Sequence, residues 1–326
     1  MKILVTGANG FIGRQVVTNL LQRGIEVTAL VRSDAKGAAL RELGAETAIG
    51  DLLHKDRMAQ IISGVDRVIH CGAALAPEFT DAQRFETNVN GVRNVCEGAL
   101  AGGVKRVVIV GSIMVLGTRN LDNATETVEP IDSRDAGSAS KVAAESAANE
   151  YRRRGLDVVM VRPSLVYGPG DPYNIPYFVD ALRDGWFTFV GSRDNVVPIV
   201  HVDDVADGIV RAAVELNAEG VYNITDGSRT TAGEFFDCMA ENLGLPAPKK
   251  TVPFIIPQLK VRFADLIGRR FGYEPRLDPV NLRFLGTSRH FDVSKSRAEL
   301  GYDPKVGYRD GIADSLRELR NSRAGS

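Results

Sequence analysis

Cysteine is scarce in this chain: Cys71, Cys96 and Cys238 are the only three in 326 residues. No Cys-x-x-Cys pair occurs, and His54, His70, His201 and His290 do not cluster at ligand spacing, so no metal site is expected. A sparse, odd set of thiols is not a disulfide framework and fits a reducing compartment. Long apolar runs are also missing. A bilayer span needs about 20 apolar residues, and the best candidate, Thr251–Phe271, is interrupted by Lys260, Arg262, Asp265, Arg269 and Arg270. No charged leader with an apolar signal core stands before the first strand-like run. With a formal net charge of -1 there is no global field to gather nucleic acid or anionic membrane. These absences predict a cytoplasmic protein with a small-molecule partner, no nucleic-acid partner and no integral membrane segment.

What is present is alternation. Short β-rich runs at Lys2–Thr6, Glu26–Val31, Glu46–Ile49, Arg67–Cys71, Arg106–Val110 and Asp157–Arg162 alternate with helical patterns such as Phe11–Arg23, Ala82–Ala101 and Ser138–Arg153. Helices between strands imply right-handed crossovers and a parallel sheet. The strands are nearly all apolar, as they must be when helices cover both faces. The fold class predicted is α/β, a Rossmann-type doubly wound parallel sheet. After Tyr167-Gly168-Pro169-Gly170 the pattern loosens, although Pro198–Val202 and Val221–Ile224 read as strands returning to the main sheet. The expected organisation is a dinucleotide-binding domain over 1–165, with returns at 198–228, and a smaller interleaved substrate lobe mainly over 166–326.

The first strand runs into Thr6-Gly7-Ala8-Asn9-Gly10-Phe11-Ile12-Gly13 and then an amphipathic helix. Such a loop needs one glycine for the turn, one where the backbone meets a pyrophosphate, and one where the helix packs on the sheet. The helix start offers free N–H groups and a positive dipole end to phosphate. Gly7, Asn9, Gly10, Phe11, Ile12 and Gly13 are therefore the predicted cofactor cradle. The second strand ends Val31-Arg32-Ser33, with no acid to bind a ribose 2′-hydroxyl. Arg32 is suited to a 2′-phosphate, which favours NADP over NAD; the competing reading is a solvated arginine.

Together these motifs resemble the extended short-chain dehydrogenase/reductase family, the NAD(P)-dependent epimerase/dehydratase group. Gly50-Asp51-Leu52 resembles the family's adenine-contacting segment, Cys71-Gly72-Ala73-Ala74 its small-residue turn, and Asn88-Val89-Asn90-Gly91 its helix motif. Arg162 to Gly170 is similar to R-P-x-x-V-Y-G-P-G, and Val200 to Val205 to a further family segment. The resemblance implies cofactor contacts from Asp51, Leu52, Ala73, Asn88, Lys141, Pro163 and Val166. It also implies a homodimer through the two long helices, Ala82–Ala101 and Ser138–Arg153. Gly168-Pro169-Gly170-Asp171-Pro172 and Phe291-Asp292-Val293-Ser294-Lys295 look most like the 3β-hydroxysteroid dehydrogenase-like reductases.

The family's chemistry uses a serine after the fifth strand and Tyr-x-x-x-Lys on the next helix. Ser112 takes the serine position, and Lys141 takes the lysine position. Four residues before Lys141, where the tyrosine belongs, stands Gly137. Positions four apart share a helical face, so the expected acid/base is missing. Three readings follow: a redox enzyme in which Lys141 through water, Ser112 or Ser138 shares the role; a cofactor-binding sensor or scaffold; or a chain inactivated on purpose at this position. Tyr167, in the post-strand motif, is expected to pack or to line the pocket, and Tyr173 and Tyr177 fall in the presumed substrate region; with Ser112 these are the candidate substrate contacts. The activity expected is interconversion of a secondary alcohol and a ketone on a small, largely apolar substrate, with NDP-sugar epimerase or dehydratase chemistry as the alternative. Beside these, Asp203 or Asp204 is expected to cap a helix with His201 structural, Arg162 reads equally as a buried structural pair or a ligand contact, and Pro253–Phe271 reads as an amphipathic packing helix.

Overall fold

The opening strand β1 (Lys2–Thr6) buries Ile3, Leu4 and Val5 completely, because parallel neighbours flank it and helices cover both its faces. The structure is a computed structural model and describes residues 1–75, 78–131, 135–253 and 285–324. After β1 come α1 (Phe11–Gln22), β2 (Glu26–Val31), α2 (Asp34–Glu42), β3 (Glu46–Ile49), α3 (Lys55–Ile62) and β4 (Arg67–His70). Then follow α4 (Asp81–Phe85), α5 (Gly91–Gly102), β5 (Arg106–Val110), β6 (Leu121–Ala124), α6 (Ala136–Arg153), β7 (Val158–Pro163) and β8 (Leu165–Tyr167). The remainder holds α7 (Asn174–Arg183), β9 (Phe189–Val190), β10 (Ile199–His201), α8 (Val202–Val214), β11 (Val221–Ile224) and α9 (Ala232–Leu243). It ends with β12 (Thr251–Val252), β13 (Arg289–Phe291), α10 (Ser294–Leu300) and α11 (Tyr308–Ala324).

Seven strands form one parallel sheet in the order β11-β7-β5-β4-β1-β2-β3. The order reverses between β1 and β4, and in such sheets ligands bind at that switch point, beyond the carboxyl ends of the strands. Side-chain alternation divides β7 between two cores. Val159 and Val161 join α1 and α8 residues such as Val17, Leu20 and Ile209. Val158 and Met160 join Val95, Cys96, Ala147 and Ala148 of α5 and α6 on the other face. A third core, around Phe178, Phe187, Phe189, Phe235 and Phe236, belongs to the later segments, and its rings meet mostly edge to face.

β11 joins the main sheet, as expected for Val221–Ile224, but β10 does not: it pairs with β8 in a separate two-stranded sheet. The expected helix Ala82–Ala101 is broken into α4, a π-type turn at Glu86–Asn90 and α5. Such a bulge re-aims side chains within a helix and recurs at functional sites; here it carries Asn88. Of the stretch Pro253–Phe271, everything past Pro253 lies outside the described residues.

Candidate active site

The loop after β1 shows why its glycines are required. Gly7 has φ +64°, and a Cβ there would lie 2.7 Å from the Gly72 backbone. A Cβ at Gly13 would stand 2.1 Å from the Gly7 carbonyl oxygen. The chain therefore passes close to itself, and β1, the Cys71–Ala74 turn and α1 meet with no side chain between them. Gly10 is the N-cap of α1 and puts no side-chain cap on the helix start, so the first-turn N–H groups at Phe11, Ile12 and Gly13 are free to face an anion. A cradle of bare backbone at a helix N-terminus fits a pyrophosphate. Asn9 is exposed at the rim.

Arg32 is exposed just past β2. The nearest acid in sequence, Asp34, is held by Arg41 at 3.1 Å, so it is not offered to a ribose in Arg32's place. Asp51 accepts the Leu53 N–H at 2.9 Å and so closes its own turn. The Leu52 side chain reaches Gly72 and Gly91, and its carbonyl accepts from Asn94 at 2.8 Å. The segment after β3, the turn after β4 and the start of α5 thus meet at Leu52.

Asn88 fastens the turn after β4 to α6. Its Oδ1 accepts the Ala74 N–H at 2.7 Å, and its Nδ2 donates to Ser140 Oγ at 2.9 Å. Ser140 in turn donates to the Gly137 carbonyl at 2.8 Å. Thr6 and His70 share a hydrogen bond of 2.7 Å, and Thr6 also accepts from Gly72 N–H at 3.3 Å. Burial pushes His70 down to about 3, followed by repulsion from Lys141, so its ring is neutral and only spaces the turn. Sequence reasoning gave Thr6, His70 and Ser140 no role, although Thr6 and Ser140 stand inside the quoted motifs.

Ser112 caps the turn Ile113–Leu116 by accepting the Met114 N–H at 3.2 Å. Leu116 is fully buried. Lys141 lies on α6, and its Nζ donates to the Val110 carbonyl, two residues before Ser112, at 3.4 Å. A cavity of about 20 Å³, room for one water, is lined by Lys141, Val110, Gly111, Asn88, Ala73 and Glu145, among others. Burial lowers the Lys141 ammonium to about 8, with the Cys71 thiol opposing the shift. Burial likewise pushes the Cys71 thiol up to about 12, which makes it an inert neighbour.

Gly137 is the second residue of α6. Its N–H donates to Asp135 Oδ1 at 3.3 Å, and Asp135 Oδ2 accepts from Ser138 at 2.8 Å. Among the described residues, only the Asp135 carboxyl group lies within 4 Å of where a Cβ would project, at 3.5 Å or more. Among the described residues nothing else stands in this space, which lies one helical turn before Lys141.

The three candidate tyrosines, Tyr167, Tyr173 and Tyr177, are placed differently from one another. Tyr167 is 1% exposed and packs edge-on against His201 and Phe235 at 5.6 Å from each ring. Tyr177 packs against Phe178 and Trp186. Tyr173 is 48% exposed at the start of α7, near enough to Glu78 of the loop after β4 to feel its charge. The structure thus puts two of these tyrosines among packed rings and one at a loop opening. Pro163 closes β7 in register with Ile224, and Val166 in β8 accepts from Asn174 at 3.1 Å, tying β8 to α7. His201 itself caps α8, accepting from Asp203 N–H at 3.3 Å, while Asp204 accepts from Lys305 and Val306; the expected aspartate cap is not used. Arg162 pairs with Glu145 inside the protein. Among the described residues no helix is long and apolar enough to cross a membrane, and no group of three or more His, Cys, Asp or Glu is placed to hold a metal.

Residues 3–225 match the family model described as the NAD dependent epimerase/dehydratase family. A 4-hydroxy-2-methyl-3-oxo-4-farnesyl-3,4-dihydroquinoline-1-oxide ketoreductase of Stigmatella aurantiaca is 29% identical over 98% of this chain and 96% of that protein. A 3-beta-hydroxysteroid dehydrogenase of Mycolicibacterium neoaurum is 27% identical, covering 97% and 90% respectively. Among solved structures, MoeE5 in complex with UDP-glucose and NAD superposes with a TM-score of 0.77 at 26% identity, over 99% of this chain and 100% of that one. The chain belongs to the NAD dependent epimerase/dehydratase family and is an enzyme of the extended short-chain dehydrogenase/reductase type.

Proposed function

We propose that this protein is an NADP-preferring oxidoreductase that interconverts a secondary alcohol and a ketone on a small, largely apolar substrate, with Lys141 and water in the role the family gives to tyrosine. The observation that carries the reading is Lys141 itself: half-buried, hydrogen-bonded to the carbonyl two residues before Ser112, and one helical turn past Gly137, which has no side chain. The ketoreductase and hydroxysteroid dehydrogenase relatives support carbonyl chemistry.

The bound coenzyme supplies the hydride in reduction and accepts it in oxidation. The glycine loop holds the pyrophosphate, and Arg32 meets the 2′-phosphate. Ser112 donates a hydrogen bond to the substrate oxygen. In reduction the Lys141 ammonium gives a proton to that oxygen through a water standing where the tyrosine hydroxyl would be. In oxidation neutral Lys141 takes the proton back. Tyr173, at the opening between α7 and the loop after β4, contacts the substrate. A homodimer paired through α5 and α6 completes this reading.

The test is NADPH consumption over a panel of cyclic and long-chain ketones, with NDP-sugars followed separately by chromatography of their products, because an epimerase consumes no net coenzyme. Turnover of ketones is the expected result. Turnover of sugars alone would favour epimerase chemistry, the second reading, which the likeness to a UDP-glucose complex supports. Coenzyme binding with no turnover of any compound would contradict both. The coenzyme preference has its own check: Arg32→Ala weakens NADPH about tenfold, the worth of one charge-assisted hydrogen bond, and leaves NADH unchanged. Equal losses for both coenzymes would remove Arg32 from the 2′-phosphate.

A further inference from the structure

The buried ion pair between α6 and β7 is not used by the chemistry above, yet it sits directly beneath it. Arg162 is 2% exposed and Glu145 5%. Arg162 Nε donates to Glu145 Oε2 at 3.1 Å, and its Nη2 donates to Oε1. Glu145 lies one helical turn beyond Lys141, so the two share a face of α6. Both line the cavity that also touches Val110 and Gly111.

The pair also reaches the Ser112 side. Val110 stands in register with Val161, and Gly111 N–H donates to the Val161 carbonyl at 2.8 Å. A Cβ on Gly111 would lie 3.4 Å from that carbonyl, 3.9 Å from Arg162 Cγ and 3.9 Å from Glu145 Oε2. Both partners of the ion pair therefore pack under the residue before Ser112. A buried pair of this kind adds little net stability over well-packed apolar side chains of similar volume. What it adds is direction, because a fork of two bonds fixes distance and rotation together.

We propose that Glu145 and Arg162 are positioning residues, which lock α6 against the ends of β5 and β7 so that Lys141 and Ser112 face one substrate oxygen; this rests on the redox reading of the site. Neither side chain touches substrate or coenzyme. Each acts by fixing where Lys141 Nζ and the Ser112 hydroxyl stand.

The experiment compares the native chain with Glu145→Met, Arg162→Met and the double variant. Either single change strands a buried charge or donor and destabilises the protein. The double variant removes both charges at similar volume and folds with a near-native Tm. In it, NADPH affinity and ketone KM stay within about threefold of native, while kcat falls about tenfold to a hundredfold, as misplacing reacting groups by about 1 Å does. Reductive methylation of Lys141 by formaldehyde and cyanoborohydride, followed by mass spectrometry, rises at least severalfold as the lysine loses its fixed seat. Native kcat together with native labelling in the double variant would overturn the proposal. So would a fall in kcat matched by equal losses in Tm and NADPH affinity, which is the mark of general loosening. If the native chain turns over no ketone, the redox reading fails, and the labelling of Lys141 alone decides the positioning role.

Discussion

Gly137→Tyr raises kcat for ketone reduction by about 10²–10⁴-fold, the range that a positioned general acid contributes, and leaves the Kd for NADPH unchanged. The geometry permits the side chain. Gly137 occupies the second position of α6, and the nearest described atom to a new Cβ is Asp135 Oδ1 at 3.5 Å, an ordinary contact. Its N–H bond to Asp135 and the acceptor role of its carbonyl for Ser140 both belong to the backbone and survive the change. Glycine costs a helix interior more than tyrosine does, so stability does not suffer. From this position a phenol lies on the face of α6 that carries Lys141, one turn on. Steady-state rates with the best ketone of the panel give the answer. An unchanged kcat in a folded, coenzyme-binding variant would show that the space at Gly137 does not face the reacting oxygen.

Gly13→Ala abolishes coenzyme binding in practice, weakening NADPH at least about 100-fold, or about 2.7 kcal/mol. The added methyl would sit 2.1 Å from the Gly7 carbonyl oxygen, 2.8 Å from the Gly7 carbonyl carbon and 3.0 Å from Ala8 Cα. All three are backbone atoms and cannot swing away, so the loop must open or α1 must retreat. Either movement pulls the helix N-terminus from the phosphates. Gly137→Ala is the matched control, because its methyl meets nothing nearer than 3.5 Å. Fluorescence titration with NADPH separates the two. Native affinity in Gly13→Ala would mean that this loop is not the phosphate site.

The parallel sheet was readable because its strands are apolar on both faces and sit between helix-period segments. Of the six predicted first-half strands, Lys2–Thr6, Glu26–Val31, Glu46–Ile49 and Arg106–Val110 match the observed bounds, and the other two shift by one residue. Pro198–Val202 looked like a further strand of the same sheet for the same reason, but apolar composition does not say which neighbour a strand takes; β10 pairs with β8. The π-type turn at Glu86–Asn90 leaves no mark in helical periodicity; the motif resemblance tied Asn88 to the following long helix, and the structure supplies the partners, Ala74 and Ser140. The gap at Gly137 was visible once the family resemblance had set Lys141 in a Tyr-x-x-x-Lys spacing. The surroundings of Lys141, which is half-buried, include His70, Cys71 and the end of β5, residues 31 to 71 positions away. Tyr167 shows the opposite limit: its motif position left packing and pocket lining both open, and the ring packs against His201 and Phe235.

The proton route through Lys141 is best tested by single-turnover oxidation of NADPH by the native chain, with a saturating ketone, from pH 6 to 10. The titratable and charged groups around Lys141 are a neutral His70, a thiol at Cys71 that stays protonated, and Glu145 already paired with Arg162. Lys141 is therefore the group that ionises in this window, near pH 8. Reduction needs its protonated form, so the rate constant is flat below pH 8 and falls about tenfold per pH unit above it. A rate that stays level from pH 8 to 10 would contradict the assignment.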